Sequence, residues 1–239
     1  MFTEFKASGA RATSKIPTPK IIFFDIDDTL SRKGIIAKHN QATLEALAHS
    51  DVKLVISTGR SKAILPPDIL ALLEANVLDS IICMNGQYSF DNHNRISHYP
   101  LSIGQTTKIV ELCQASDLIH KFDSATHIAW SDENERLREF NARTPNSIVD
   151  PFYHQTSEVY QCSVFFNNQQ EKMQEVDFAK YDLKLVHWHN TGADILPIEA
   201  SKARGILDVC QHYGVDASEC MAFGDGFNDL EMFDLVGFA

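Results

Sequence analysis

The sequence predicts an α/β protein, a parallel sheet carrying an inserted α+β module. Short apolar strand signals alternate with helical ones up to Met84. The texture then changes after Asn85-Gly86 to a hairpin and mixed elements. Strand and helix alternation returns after Leu196-Pro197.

The elements follow in order. Ile21–Phe24 is a run of β-branched and aromatic residues, the pattern of a strand buried on both faces. Leu44, Leu47 and Ala48 mark one face of a helix ending near Ser50. Residues 52–56 form a second strand. Residues 64–73 are broadly helical despite Pro66 and Pro67, and 81–84 form a third strand. Such short βαβ spacing implies parallel strands with right-handed crossovers. Tyr88–Phe90 and 96–99 flank Asp91-Asn92-His93-Asn94, which reads as a hairpin. Residues 159–166 and Leu183–His189 are the clearest later strands. A helix opens at Ser201, with Ile206, Val209, Cys210 and Tyr213 as its apolar stripe and Gly214 at its end. Cys220–Phe223 is the last strand, followed by a Gly-Asp-Gly turn.

At 239 residues, the chain holds one large domain or two modest ones. Hydrophobic residues at 44% and charged ones at 22% indicate a globular chain. A net charge of −11 argues against nucleic acid or an anionic membrane as main partner. It permits a small anionic substrate, since a bound cation reverses the local field. No apolar run reaches the length of a membrane span. Residues 1–20 carry Lys6, Arg11, Lys15 and Lys20 without an apolar core, so they read as a flexible arm and not a secretory signal. The five cysteines lack C-x-x-C spacing and sit among apolar residues, which suggests reduced thiols in a cytoplasmic protein. A monomer or weak homo-oligomer is expected.

The chemistry concentrates at strand ends. Asp25 and Asp27 follow the first strand. Residues two apart on a strand share a face, so both carboxylates can enter one crevice. Two close carboxylates repel unless a cation joins them or one keeps its proton. That arrangement suits a metal-bound nucleophile beside a general acid, although the segment alone also fits a strand entering an Asp-rich turn. Ser57-Thr58-Gly59-Arg60 ends the second strand with hydroxyls suited to a phosphate oxygen or, equally, to capping a helix. Lys202 and Arg204 lie in the first turn after Ser201, where the helix dipole disfavours cations; they fit a neighbouring anion or, equally, two ordinary solvated surface cations. Gly224-Asp225-Gly226-Phe227-Asn228-Asp229 places oxygen ligands beyond a short strand. These suit Mg²⁺, or a helix capped by Asn228 with Glu231 three residues on. His187-Trp188-His189 reads as ordinary structure of the inserted module, and Trp130 as a packing residue.

Taken in order, these segments resemble the haloacid-dehalogenase-like phosphohydrolases: Asp-x-Asp-x-Thr, a strand ending in Ser/Thr, a lone Lys, then Gly-Asp-x-x-Asn-Asp. Thr58-Gly59-Arg60, Asn85-Gly86, Ser201-Lys202 and 224–232 are most similar to the Cof-type sugar-phosphatase branch. The likeness spans residues 21 to 239 and is specific in the core motifs, much less so in the insertion.

The resemblance implies a Rossmann-like core over 21–86 and 196–239, with a cap over 87–195. It implies an Mg²⁺-dependent phosphatase acting on small phosphorylated metabolites, sugar phosphates above all. Asp25 would attack phosphorus and Asp27 would serve as general acid and base. Thr58, Gly59, Arg60, Asn85 and Lys202 would bind substrate. Asp25, the backbone carbonyl of Asp27, and Asp225 would ligate metal, supported by Asn228 or Asp229. Two departures stand out. Asp28 occupies a usual glycine position, and the sequence stops at Ala239 where similar proteins continue. The second departure suggests a shortened chain whose last core strand edge lies bare. It leaves open an impaired member that binds a phosphorylated ligand with little turnover. A phosphomutase of the same superfamily would share the aspartate chemistry.

Overall fold

A computed structural model describes residues 18–32, 34–133, 146–166 and 173–239. Most of the arm expected over 1–20 lies outside them. The chain opens with β1 (Ile21–Phe24), a small flap of β2 (Ser31–Arg32) and β3 (Ile35–Ile36), then α1 (Lys38–Leu47), β4 (Lys53–Ser57), α2 (Pro67–Glu74) and β5 (Ser80–Cys83). It continues through β6 (Tyr88–Phe90), β7 (Arg95–His98), α3 (Ile103–Ala115), β8 (Ile119–Asp123), β9 (Ile128–Trp130) and β10 (Ser147–Val149). Then come β11 (Gln161–Phe165), β12 (Leu183–His189), β13 (Gly192–Pro197), α4 (Lys202–Tyr213), β14 (Cys220–Phe223) and α5 (Leu230–Leu235).

The first sheet runs β14-β1-β4-β5-β6-β7, parallel from β14 to β5. Strand alternation explains its two covered faces. Ile22 and Phe24 of β1 enter one core with Leu54, Ile56 and residues of α1 and α2. Ile21 and Phe23 enter the opposite core with Ile206, Val209 and Met232 of α4 and α5. Full burial of such side chains contributes about 1.5–3 kcal/mol each. Pro67 occupies the first turn of α2, where its missing N–H costs nothing, so the two prolines start this helix and do not break it.

The sequence places the cap from residue 87, and the hairpin that opens there lies in the first sheet. β6 pairs antiparallel with β5, and β7 with β6, so the hairpin extends the first sheet. Gly86, at φ +82°, turns the chain back along β5, and Tyr88 and Phe90 bury in the first core. The second sheet begins only after α3. Its order is β10-β9-β8-β11-β13-β12, mostly antiparallel. One face, with Phe122, Cys162, Val164 and Ile195, packs on Ile109 and Cys113 of α3.

The outer edge of β14 is not bare. Phe238 donates its N–H to the Cys220 carbonyl and accepts from Ala222 N–H, making a one-residue parallel bridge to Met221. Trp130 is buried and stacks on Phe165 with ring centroids 5.1 Å apart.

Candidate active site

The carboxyl ends of β1, β4, β5 and β14 converge on one crevice, as parallel sheets place their ligand sites. Asp25 leaves β1 with its N–H on the Phe223 carbonyl, which fixes it between β1 and β14. Its side chain is buried. Burial raises its pKa above the ordinary carboxylate value, against the pull of the adjacent Lys202 ammonium.

Lys202 explains the cation in the first turn of α4. Ser201 caps this helix, accepting from Arg204 N–H, and Gly214 closes it in the left-handed region. The buried Lys202 Nζ lies 2.5 Å from Asp25 Oδ1 and 2.5 Å from Asp229 Oδ1. Two carboxylates thus supply a neighbouring anion, and Lys202 is not a solvated surface cation. Gly86 makes this approach possible: a Cβ there would collide with the Ser201 carbonyl oxygen. Arg204 turns elsewhere, over the Tyr99 ring and onto Gln87.

Asp229 also organises the loop after β14. Its Oδ2 accepts from the N–H groups of Asp225, at 3.0 Å, and Gly226, at 2.8 Å. Asp229, not Asn228, therefore satisfies the loop amides ahead of α5. Asn228 instead donates to Asn85 Oδ1 at 3.2 Å. Asn85 holds a left-handed conformation at φ 50°. Thr29 donates to Asp225 Oδ1 at 3.0 Å, tying the loop after β1 to the loop after β14.

Asp27 lines the same cavity but pairs with a different residue. Arg60 binds it through two parallel bonds, Nη2 to Oδ1 and Nε to Oδ2, and this partner raises the guanidinium pKa. Thr58 is buried with its N–H on the Ile82 carbonyl, and its Oγ1 accepts from Arg60 N–H.

Oxygens of Asp25, Asp225 and Asp229 lie within 4.8 Å of one another, the single such acidic or His/Cys group among the described residues. Hard carboxylate donors around a buried, uphill-ionising Asp25 fit a divalent cation such as Mg²⁺. The carboxylate of Asp27 is outside that group.

A cavity of about 810 Å³ joins this cluster to the polar face of the second sheet. Nine of the ten residues expected from the sequence line it, and Lys202 sits behind Asp25. Sequence reading missed its opposite wall: Lys121, Asp123, Gln161, Ser163 and Asp194. Their signal was present as polar residues at alternate positions of 121–123 and 161–163, but nothing local says which way a sheet faces. It also left Thr29 without a role. His187 lines the cavity. The side chains of Trp188 and His189 lie outside the described residues.

The family model for haloacid dehalogenase-like hydrolases matches residues 22–239. The chain belongs to this family. It is 28% identical over 222 residues to YkrA of Bacillus subtilis (strain 168), named as a candidate phosphatase, covering 91% of this chain and 84% of that protein. It is 24% identical to the HMP-PP phosphatase of Serratia proteamaculans (strain 568), covering 91% and 81%. Among solved structures, the subclass IIB sugar phosphatase BT4131 superposes with a TM-score of 0.78 at 27% identity, covering 91% of this chain and 85% of that one. This likeness agrees with the Rossmann-like core and α+β cap.

Proposed function

We propose that this protein is a phosphoric monoester hydrolase: an Mg²⁺-dependent phosphatase of small phosphorylated metabolites, sugar phosphates in particular. The observation that carries this reading is Asp25, buried at a strand end with Lys202 Nζ at 2.5 Å and Asp225 and Asp229 alongside. Its raised pKa marks a carboxylate less stabilised by solvent than an exposed one, as suits a nucleophile.

Asp25 attacks phosphorus in line with the departing ester oxygen and becomes an aspartyl-phosphate. Asp27, oriented by Arg60, gives its proton to the leaving oxygen. It then takes a proton from the water that attacks phosphorus, releasing phosphate and restoring Asp25. Thr58 and Lys202 hold phosphoryl oxygens, with Gly59, Arg60 and Asn85 lining the approach. Mg²⁺, held by Asp25, Asp225 and the Asp27 carbonyl with Asp229 or Asn228 in support, would neutralise charge on the transferring group. The cap excludes water and selects the leaving group. All five cysteines are free and buried, which supports a reducing, cytoplasmic setting for the same reading. No helix among the described residues is long and apolar enough to cross a membrane.

The test is hydrolysis of para-nitrophenyl phosphate with Mg²⁺ by wild-type protein and a folded Asp25→Asn variant. Turnover by the first alone supports the reading. Equal turnover by both refutes it.

A further inference from the structure

Two cysteines meet inside the first sheet's core. Cys210 lies in α4 and Cys220 opens β14, and their Sγ atoms are 3.6 Å apart. Both residues are at most 3% exposed. They share one apolar cluster with Ile21, Ile206, Val209 and Met232. Ten positions separate them in the chain, and the segment between folds back on both. Val215 N–H donates to the Cys210 carbonyl at 2.9 Å, and the Cys220 S–H donates to the Asp216 carbonyl at 3.5 Å. Cys220 is also fixed in the sheet, paired with Ile21 of β1 and with its carbonyl taken by Phe238 N–H. Backbone bonds therefore hold the two sulfurs in register.

The contact divides the thiols chemically. A bond from the Cys210 thiol lowers the pKa of Cys220 below the ordinary thiol value, against the effect of burial. The same contact, together with burial, raises that of Cys210. Cys220 is thus the readier thiolate and Cys210 the thiol beside it, the roles of an attacking and a resolving cysteine. A disulfide sets its sulfurs about 2.0 Å apart, so closure asks for an approach of about 1.6 Å.

Placement gives closure a consequence. Lys202, the first residue of α4, meets Asp229 beyond the end of β14 at 2.5 Å. The cysteines join the same two elements towards their opposite ends. A bond there would clamp α4 to β14 at both ends and restrict the unfolded chain by closing a short loop.

We propose that Cys210 and Cys220 form an oxidisable dithiol, a modification site that closes to a disulfide when hydrogen peroxide reaches it. The Cys220 thiolate attacks one peroxide oxygen. The O–O bond breaks, hydroxide leaves and takes up the proton that Cys220 released, and Cys220 becomes a sulfenic acid. The Cys210 sulfur then attacks the Cys220 sulfur; the S–O bond breaks, and the Cys210 proton departs with the oxygen as water. Two thiols and one peroxide give one disulfide and two waters, the sulfurs losing two electrons and the peroxide gaining them. In reducing surroundings the pair stays as the two free thiols of the structure.

The experiment treats the folded wild-type chain with near-stoichiometric hydrogen peroxide, then denatures it in an alkylating reagent and maps its peptides without reduction. Thermal melts are recorded before and after treatment. The proposal expects a Cys210–Cys220 cross-link, two hydrogens lighter than the reduced pair and undone by dithiothreitol. The oxidised protein should melt about 4 °C or more above the reduced one, and re-reduction should remove the rise. Cys210→Ala should show no rise on the same treatment. If that variant melts early, Cys210→Ser replaces it, and the wild-type peptide map decides without either. Cys210 and Cys220 both still alkylated after treatment, or oxidised singly without a cross-link, would overturn the proposal. So would a Cys113–Cys162 link in its place, or a cross-linked protein that melts no higher than the reduced one.

Discussion

Arg60 grips both carboxylate oxygens of Asp27, at 2.7 Å to Oδ1 and 2.8 Å to Oδ2. Both side chains are substantially exposed, so the pair contributes little to stability, about 0–1 kcal/mol. Its value is orientation: the fork holds Asp27 apart from the Asp25, Asp225 and Asp229 cluster and in one rotamer. Arg60→Lys keeps the charge and loses the fork. The variant should melt within about 2 °C of wild type yet lose about 10-fold or more in kcat. Melting curves and steady-state kinetics check this.

Asp27→Asn removes the proposed general acid and base while preserving size. We expect kcat to fall by about 10²–10⁴-fold, with circular dichroism unchanged. A loss confined to KM would mean that Asp27 only binds substrate.

Burial raises the Asp25 pKa, so its charged form costs stability in the folded state. The sign follows: the cost is absent below the ordinary carboxylate range and fully present above the raised folded pKa. In metal-free buffer at neutral pH, Asp25→Asn should therefore melt no lower than wild type, and higher by about 2–4 °C for each kcal/mol relieved. Mg²⁺ should raise the wild-type melting temperature more than that of the variant. Differential scanning calorimetry with chelator and with Mg²⁺ reads both effects. Activity should vanish in chelator and return with Mg²⁺. Ca²⁺ should raise the melting temperature with little activity, because its larger, looser shell misplaces the nucleophile.

Much of this architecture was legible in the sequence because its signals are local. Ile21–Phe24 and Cys220–Phe223 are strands where apolar runs end in acids, and Ser201 and Gly214 bracket α4 as their residue types imply. Placement across the chain was less legible. The hairpin after Gly86 reads the same whether it joins the first sheet or the second, and only pairing with β5 decides. Asn228 looks like a cap, but the longer-range contact to Asn85 takes its side chain and Asp229 takes the loop amides. The polar wall of Lys121, Asp123 and Gln161 required knowing which face of a sheet meets the core.

Gly86→Ala tests how tightly the fold positions Lys202. At φ +82°, with the Ser201 carbonyl where a Cβ would go, alanine brings both backbone strain and a collision. We expect a loss of about 2–4 kcal/mol from strain and overpacking combined. Movement of the start of α4 should lower kcat beyond what the unfolded fraction explains. Urea unfolding and activity per folded molecule separate the two.

The central claim is that Asp25 carries the phosphoryl group, and the most direct measurement is a rapid acid quench during single turnover followed by peptide mass analysis. The account predicts that the peptide containing Asp25 is heavier by one phosphoryl group at early times. This species should decay as phosphate appears, and should build up further in Asp27→Asn if that variant slows the second step. Turnover at the full rate with no phosphorylated Asp25 peptide at any time would contradict it.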